Sequence, residues 1–160
     1  MLAKQLGEGF FNEKLTPICI SWFNDSIYTI RESSLKIMKS LTEIFGVNWT
    51  VKHLIPKLLS LHLDPNYLHR LTPLFGIAIL GEAVTADVVR KMFLPVVVSL
   101  SVDKIANIRM NCAKTIEQIH PTAKGESDIY EKFKGILKDL SNDADEDVRY
   151  YALRAKKLYP

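Results

Sequence analysis

The chain has 160 residues, 48% of them hydrophobic, enough to bury a continuous core, and it carries no low-complexity or disordered-looking segment. The net charge of +3 is mild, and lysines such as Lys36, Lys39, Lys52, Lys57, Lys132 and Lys134 alternate with acids as on solvated helix faces, so no nucleic-acid partner is expected. No apolar run approaches 18 residues and no charged n-region precedes an apolar stretch, which argues against a membrane span or a secretory leader; the two cysteines, Cys19 and Cys112, fall at helical core positions, as reduced thiols of a cytoplasmic or nuclear protein do.

Residues 1–8 read as the end of a second helix whose first helix is missing, so the N-terminus looks cut. Residues 12–23 form a first helix, 27–45 a turn and second helix, and Gly46-Val47-Asn48 a stop and linker. The next pair is 49–62 and 67–80, with Pro73 expected in the first turn of its helix and Gly81 closing the unit. Thr85 is placed to cap the third first helix, which runs to about Ser101, and 105–119 returns. The longest connector, 120–125, leads to a final pair at 128–140 and 146–158.

A single frame, Asp followed six residues later by Arg, organises these elements. It occurs as Asp25 and Arg31, Asp64 and Arg70, Asp103 and Arg109, and Asp143 and Arg149, at spacings of 39, 39 and 40 residues. Apolar columns share the register. Leu15, Leu54, Phe93 and Phe133 stand ten before each Asp, Cys19, Leu58, Val97 and Leu137 six before, and Trp22, Leu61, Leu100 and Leu140 three before. After it come Ile30, His69, Ile108 and Val148 at plus five, Leu35, Leu74, Ala113 and Leu153 at plus ten, and Leu41, Leu80, Ile119 and Tyr159 at plus sixteen. Steps of three and four put each set on one helix face. Pro17, Pro56 and Pro95, with Gly135 in the last unit, recur eight before the Asp, where each first helix should bend.

A period near 40 with two helices per unit is the mark of HEAT or armadillo repeats. The expected fold is therefore an all-α solenoid of HEAT repeats: one elongated domain over 1–160, with a half-repeat at 1–8 and repeats at 9–47, 48–84, 85–125 and 126–160. The Asp and Arg of the frames are expected to form a structural ladder, each Asp reaching an Arg of its own or the next unit. The acidic turn 143–147 suits the helix start that follows it and could also meet a basic partner surface.

No catalytic constellation is present. His53, His62, His69 and His120 lack metal-ligand spacing, and there is no Cys-x-x-Cys, Gly-rich phosphate loop or Gly-x-Ser-x-Gly elbow. An enzyme, a cofactor and a metal are not expected.

Several stretches carry a closer resemblance: residues 10–15, Arg31-Glu32, Ile55-Pro56-Lys57, Asp64-Pro65-Asn66-Tyr67-Leu68-His69-Arg70, Leu94-Pro95 and Ala106-Asn107-Ile108-Arg109. Together they resemble the C-terminal repeats of the scaffold (A) subunits of protein phosphatase 2A, over essentially the whole chain. That resemblance implies a non-catalytic scaffold whose intra-repeat turns form a ridge gripping a Ser/Thr phosphatase catalytic subunit. Regulatory B-type subunits would bind only through N-terminal repeats of a fuller protein. Carried onto this chain, the ridge contacts fall at Tyr28, Thr29, Tyr67, Leu68, Ala106, Asn107, Glu146 and Asp147, the two tyrosines foremost as amphipathic aromatics in exposed turns. The alternative is a HEAT module with another client, of transport or chromosome-associated kind.

Overall fold

A computed structural model describes residues 2–160, with side chains from Gln5 onward; of the half-repeat expected at 1–8, Met1 lies outside the described residues. Contacts divide the chain into two compact units, Met1–Ile79 and Leu80–Pro160. Among the described residues every regular element is helical, and the fold class is the all-α solenoid class of HEAT helix pairs.

The first unit opens with α1 (Leu2–Phe10), which is broken at Gly7, where φ is +78°. A π-turn over Phe11–Leu15 leads to α2 (Thr16–Ser21), a 3-10 turn covers Trp22–Asn24, and α3 (Tyr28–Phe45) returns. Gly46, at φ +89°, stops α3 in a conformation that costs a side-chain-bearing residue. The second pair is α4 (Val47–His53), α5 (Ile55–Ser60), a 3-10 turn at Leu61–Leu63 and α6 (Tyr67–Leu80). The second unit holds α7 (Ala86–Val88), a π-turn at Val89–Phe93, α8 (Leu94–Leu100), α9 (Ala106–Gln118), α10 (His120–Ala123), α11 (Ser127–Leu140) and α12 (Glu146–Lys156). Thr85 caps α7 by accepting from the Val88 N–H at 3.4 Å.

The repeated prolines act on their helices in register. Proline has no N–H and its ring collides with the carbonyl four residues back, so the ladder must open just ahead of it. Before Pro17 and Pro95 it opens as a π-turn, the Thr16 and Leu94 N–H groups reaching the carbonyls of Phe11 and Val89, five residues back. Before Pro56 the break is a distorted residue, Leu54, at φ −111°. Gly135 retains its N–H, and α11 runs unbroken through it. Pro73 departs from expectation: α6 starts at Tyr67 as expected, but counted from there Pro73 is its seventh residue and lies inside the helix, in the second turn and not the first.

The apolar columns form the core. Leu54, Leu58, Phe93, Val97, Phe133 and Leu137 of the first helices are fully enclosed, as are Leu74, Ala113, Leu80, Ile119 and Tyr159 of the second. In the first unit Phe11, Phe45 and Trp49 cluster with centroids 4.8–5.9 Å apart, and the Trp49 indole N–H donates to Asn12 Oδ1 at 2.8 Å, tying the first repeat to the second. In the second unit α9 lies against α12 and α11, and α8 against α9. Leu153 holds the same column position as Leu35, Leu74 and Ala113, yet it is 51% exposed.

A candidate docking ridge of intra-repeat turns

Each turn is built by its Asp and Arg in the same way. Asp25 Oδ1 accepts from the Ile27 N–H at 2.8 Å, Asp64 Oδ1 from Asn66 at 2.8 Å, Asp103 Oδ1 from Ile105 at 2.9 Å and Asp143 Oδ1 from Asp145 at 2.9 Å. These are Asx turns, in which a carboxylate takes the place of a backbone acceptor and sets the entry to the second helix. The Arg six residues on, already in that helix, reaches back to main-chain carbonyls. Arg31 Nη1 donates to Asp25 O (2.6 Å) and Ser26 O (3.2 Å), and Arg70 Nη1 to Asp64 O (2.9 Å) and Pro65 O (3.1 Å). Arg109 Nη1 donates to Asp103 O (2.7 Å), and Arg149 Nη1 to Asp143 O and Ala144 O (2.8 Å each). The guanidinium thus closes each turn by binding its main-chain carbonyls.

The expected ladder takes a different form within each frame: the Arg takes the carbonyl and the carboxylate takes an amide. A six-residue step is short for a long side chain on the first helical turns, so the fork meets the main chain before it can reach the carboxylate. Between frames of the second unit a direct link does exist. Arg109 holds Asp143 through two bonds, Nε to Oδ2 at 2.6 Å and Nη2 to Oδ1 at 2.8 Å, with both side chains largely buried. The Arg109 hydrogen bond holds the Asp143 carboxyl below its ordinary range, against the opposing effect of burial. In the first unit the second oxygen of Asp64 lies 3.2 Å from His69 Nδ1, a contact that lacks hydrogen-bond alignment. His69 stands in the plus-five column, where the other repeats carry Ile30, Ile108 and Val148.

The ridge positions lie on the outer side of these turns. Tyr28 is 54% exposed, Tyr67 41% and Leu68 39%; Thr29, Asn107, Glu146 and Asp147 are exposed too, and Ala106 is half-buried. The turns of the first unit are apolar and aromatic, with Ile27 and Leu63 also uncovered. Tyr28 leans on the frame itself, its ring centroid 5.9 Å from the Arg31 guanidinium carbon. In the second unit Ala106, Asn107, Met110, Asp145 and Asp147 line a notch of ≈ 220 Å³.

Sequence reasoning did not single out Ile27 or Leu63, nor the pairing of Arg90 with Asp128 (Nε to Oδ2, 2.6 Å) and Glu126 (Nη2 to Oε2, 2.5 Å), which joins the two first helices of the second unit. An acid three residues ahead of each second helix was the signal that could have revealed the Asx turns. Among the described residues, no group of three or more His, Cys, Asp or Glu is placed to hold a metal, and no helix is long and apolar enough to cross a membrane.

No protein-family model matches the chain. It is 44% identical over 78 residues to the regulatory (A) subunit of protein phosphatase PP2A of Schizosaccharomyces pombe, covering 48% of this chain and 13% of that protein. To the protein of the same name from Saccharomyces cerevisiae it is 37% identical over 124 residues, 73% of this chain and 20% of that one. To that of Pisum sativum it is 37% identical over 52 residues, 32% of this chain and 13% of that one. The chain therefore spans a fifth or less of the length of these relatives. The crystal structure of an engineered protein, 11% identical, superposes with a TM-score of 0.57 over 98% of this chain and 67% of that one, a likeness of fold alone. Over most of its length, the chain is similar to part of the regulatory (A) subunits of protein phosphatase PP2A.

Proposed function

We propose that the chain is a non-catalytic scaffold segment that binds the catalytic subunit of a PP2A-type Ser/Thr phosphatase through its intra-repeat turns. The observation that carries this reading is the similarity to a PP2A regulatory (A) subunit over 73% of the chain. The turns support it physically. Their backbones are fixed by an Asx turn and an Arg clamp, so little order has to be gained on docking, and they present Tyr28, Tyr67 and Leu68 to solvent. Aromatic side chains on a pre-formed surface are the usual anchors of an interface. No catalytic role is assigned to any side chain, and regulatory B-type subunits would need repeats beyond these.

Tyr28→Ala with Tyr67→Ala tests the reading. If the tyrosines anchor the catalytic subunit, binding measured by calorimetry weakens by on the order of 2–4 kcal/mol. The thermal midpoint of the double variant should report a loss below about 1 kcal/mol, since Tyr28 and Tyr67 are 54% and 41% exposed and lie outside the core. Unchanged affinity in a folded variant would remove the turns of the first unit from the interface.

A further inference from the structure

The longest connector, 120–125, plays no part in the turns. It lies at the opposite ends of the helices. In the second unit the turn at Asp143 starts α12, whereas the connector meets that helix's last residues; eleven residues at about 1.5 Å each separate the two edges by roughly 16 Å. On this far edge His120, Lys124, Tyr130, Lys157, Leu158 and Pro160 line a pocket of ≈ 460 Å³.

The pocket has a rigid wall and an exposed, charged rim. Tyr159 is fully buried behind it and donates its hydroxyl to Ile116 O at 3.1 Å. His120 meets the Tyr159 ring edge-on at 5.0 Å, and Tyr130 lies 4.9 Å from it, so both lining aromatics are held by an anchored third. Lys134 donates to the Pro160 carbonyl and holds that rim residue. Lys124 and Lys157 are exposed, and among the described residues neither forms an ion pair. No carboxylate side chain is among the lining residues. Two exposed ammonium groups flank apolar walls of Tyr130, Leu158 and Pro160.

We propose that this pocket is a second docking site, separate from the ridge, for an acidic peptide segment of a protein partner: carboxylate side chains seat between Lys124 and Lys157, and an apolar neighbour packs on Tyr130 and Leu158. Charge selects an anion. The volume, many times the ≈ 30 Å³ share of one water, and the apolar wall select an anion carried on a peptide over a free ion. Position on the opposite edge lets it fill while the turns are occupied.

The test is titration of the full chain with the capped hexapeptide Glu-Leu-Glu-Leu-Glu-Leu at low salt, followed by amide shifts in two-dimensional NMR. Shifts should concentrate at residues 120–130 and 157–160, affinity should fall at least fivefold in Lys124→Gln/Lys157→Gln, and 0.5 M salt should weaken it similarly. The Gln-Leu counterpart should bind at least tenfold more weakly. Equal affinity for the double variant or for the neutral peptide would overturn the proposal, as would saturation of the same shifts by inorganic phosphate alone. Tyr28→Ala/Tyr67→Ala should leave peptide binding unchanged, which keeps this outcome separate from that of the ridge.

Discussion

Arg109 divides its donors between two turns, one nitrogen closing its own at Asp103 and two gripping Asp143 of the next repeat. Such a fork suits a planar guanidinium and not an ammonium, so Arg109→Lys should not rescue the site. Removing the side chain leaves the largely buried Asp143 without its paired guanidinium and takes a donor from the Asp103 carbonyl. Arg109→Ala should therefore cost about 2–4 kcal/mol, read from the denaturation midpoint. Asp143→Asn keeps an oxygen for the Asp145 amide and should cost clearly less. Equal losses would mean that the charge pair, and not the turn, dominates. This division of labour was only half legible in the sequence. The recurrence of Asp and Arg showed that each turn needs both, but which atoms they use depends on where the main-chain carbonyls point, and side-chain spacing does not record that.

Among elements, α6 is tightly constrained. It contains Pro73 in its second turn and Gly76 one turn later, at the plus-twelve position where the other repeats have Ile37, Thr115 and Ala155. A Cβ on Gly76 would lie 2.4 Å from Leu58 Cδ2 and 3.3 Å from Leu35 Cδ2. Both leucines are enclosed, so neither can swing away into solvent. Here the gain in helix propensity of up to about 1 kcal/mol on replacing glycine is opposed by overpacking of about 1–3 kcal/mol. Gly76→Ala should lower the thermal midpoint, and Gly76→Ala with Leu58→Val should recover part of the loss by returning the methyl's volume. A raised midpoint for the single variant would show that the helices part without penalty. The bends of the first helices belong to the same scale. Proline told where each bend falls; whether it opens as a π-turn, as before Pro17 and Pro95, or as a distorted Leu54 is settled by local packing.

For the whole molecule the carboxylates set the acid limit of stability. Asp143, held low chiefly by Arg109, and Asp128, held low chiefly by Arg90, have folded pKa values below those of the unfolded chain. Their contribution is complete above the unfolded carboxylate value of about 3.9 and is lost as pH falls through the depressed folded values. Stability to urea should accordingly be flat from pH 7 to about 5 and fall below about 4. The fall should be shallower in Asp143→Asn, with less effect from Asp128→Asn, because the Arg90 cluster is open to solvent and screened. Identical acid profiles for the wild-type chain and Asp143→Asn would show the pair to be no part of the acid response.

What the sequence by itself determined is the repeat: the period, the two helices in each unit, the positions of the turns and the columns that fill the core. These follow from local chemistry, since helix periodicity, proline and the Asp-to-Arg frame act over a few residues and recur where the same geometry recurs. The relatives matched by sequence bear out the resemblance first carried by the heptapeptide at Asp64. Only the tertiary structure decided that the Arg clamps carbonyls, that Arg109 alone of the described frames of the second unit crosses to the next turn, and that Leu153 stays exposed where Leu35, Leu74 and Ala113 are buried. It also brought His120 and Lys124 of the connector, Tyr130 of α11 and Lys157 after α12 to one pocket. Burial and convergence depend on which segment lies alongside, and that is a property of the packed chain, not of any residue's own neighbours in sequence.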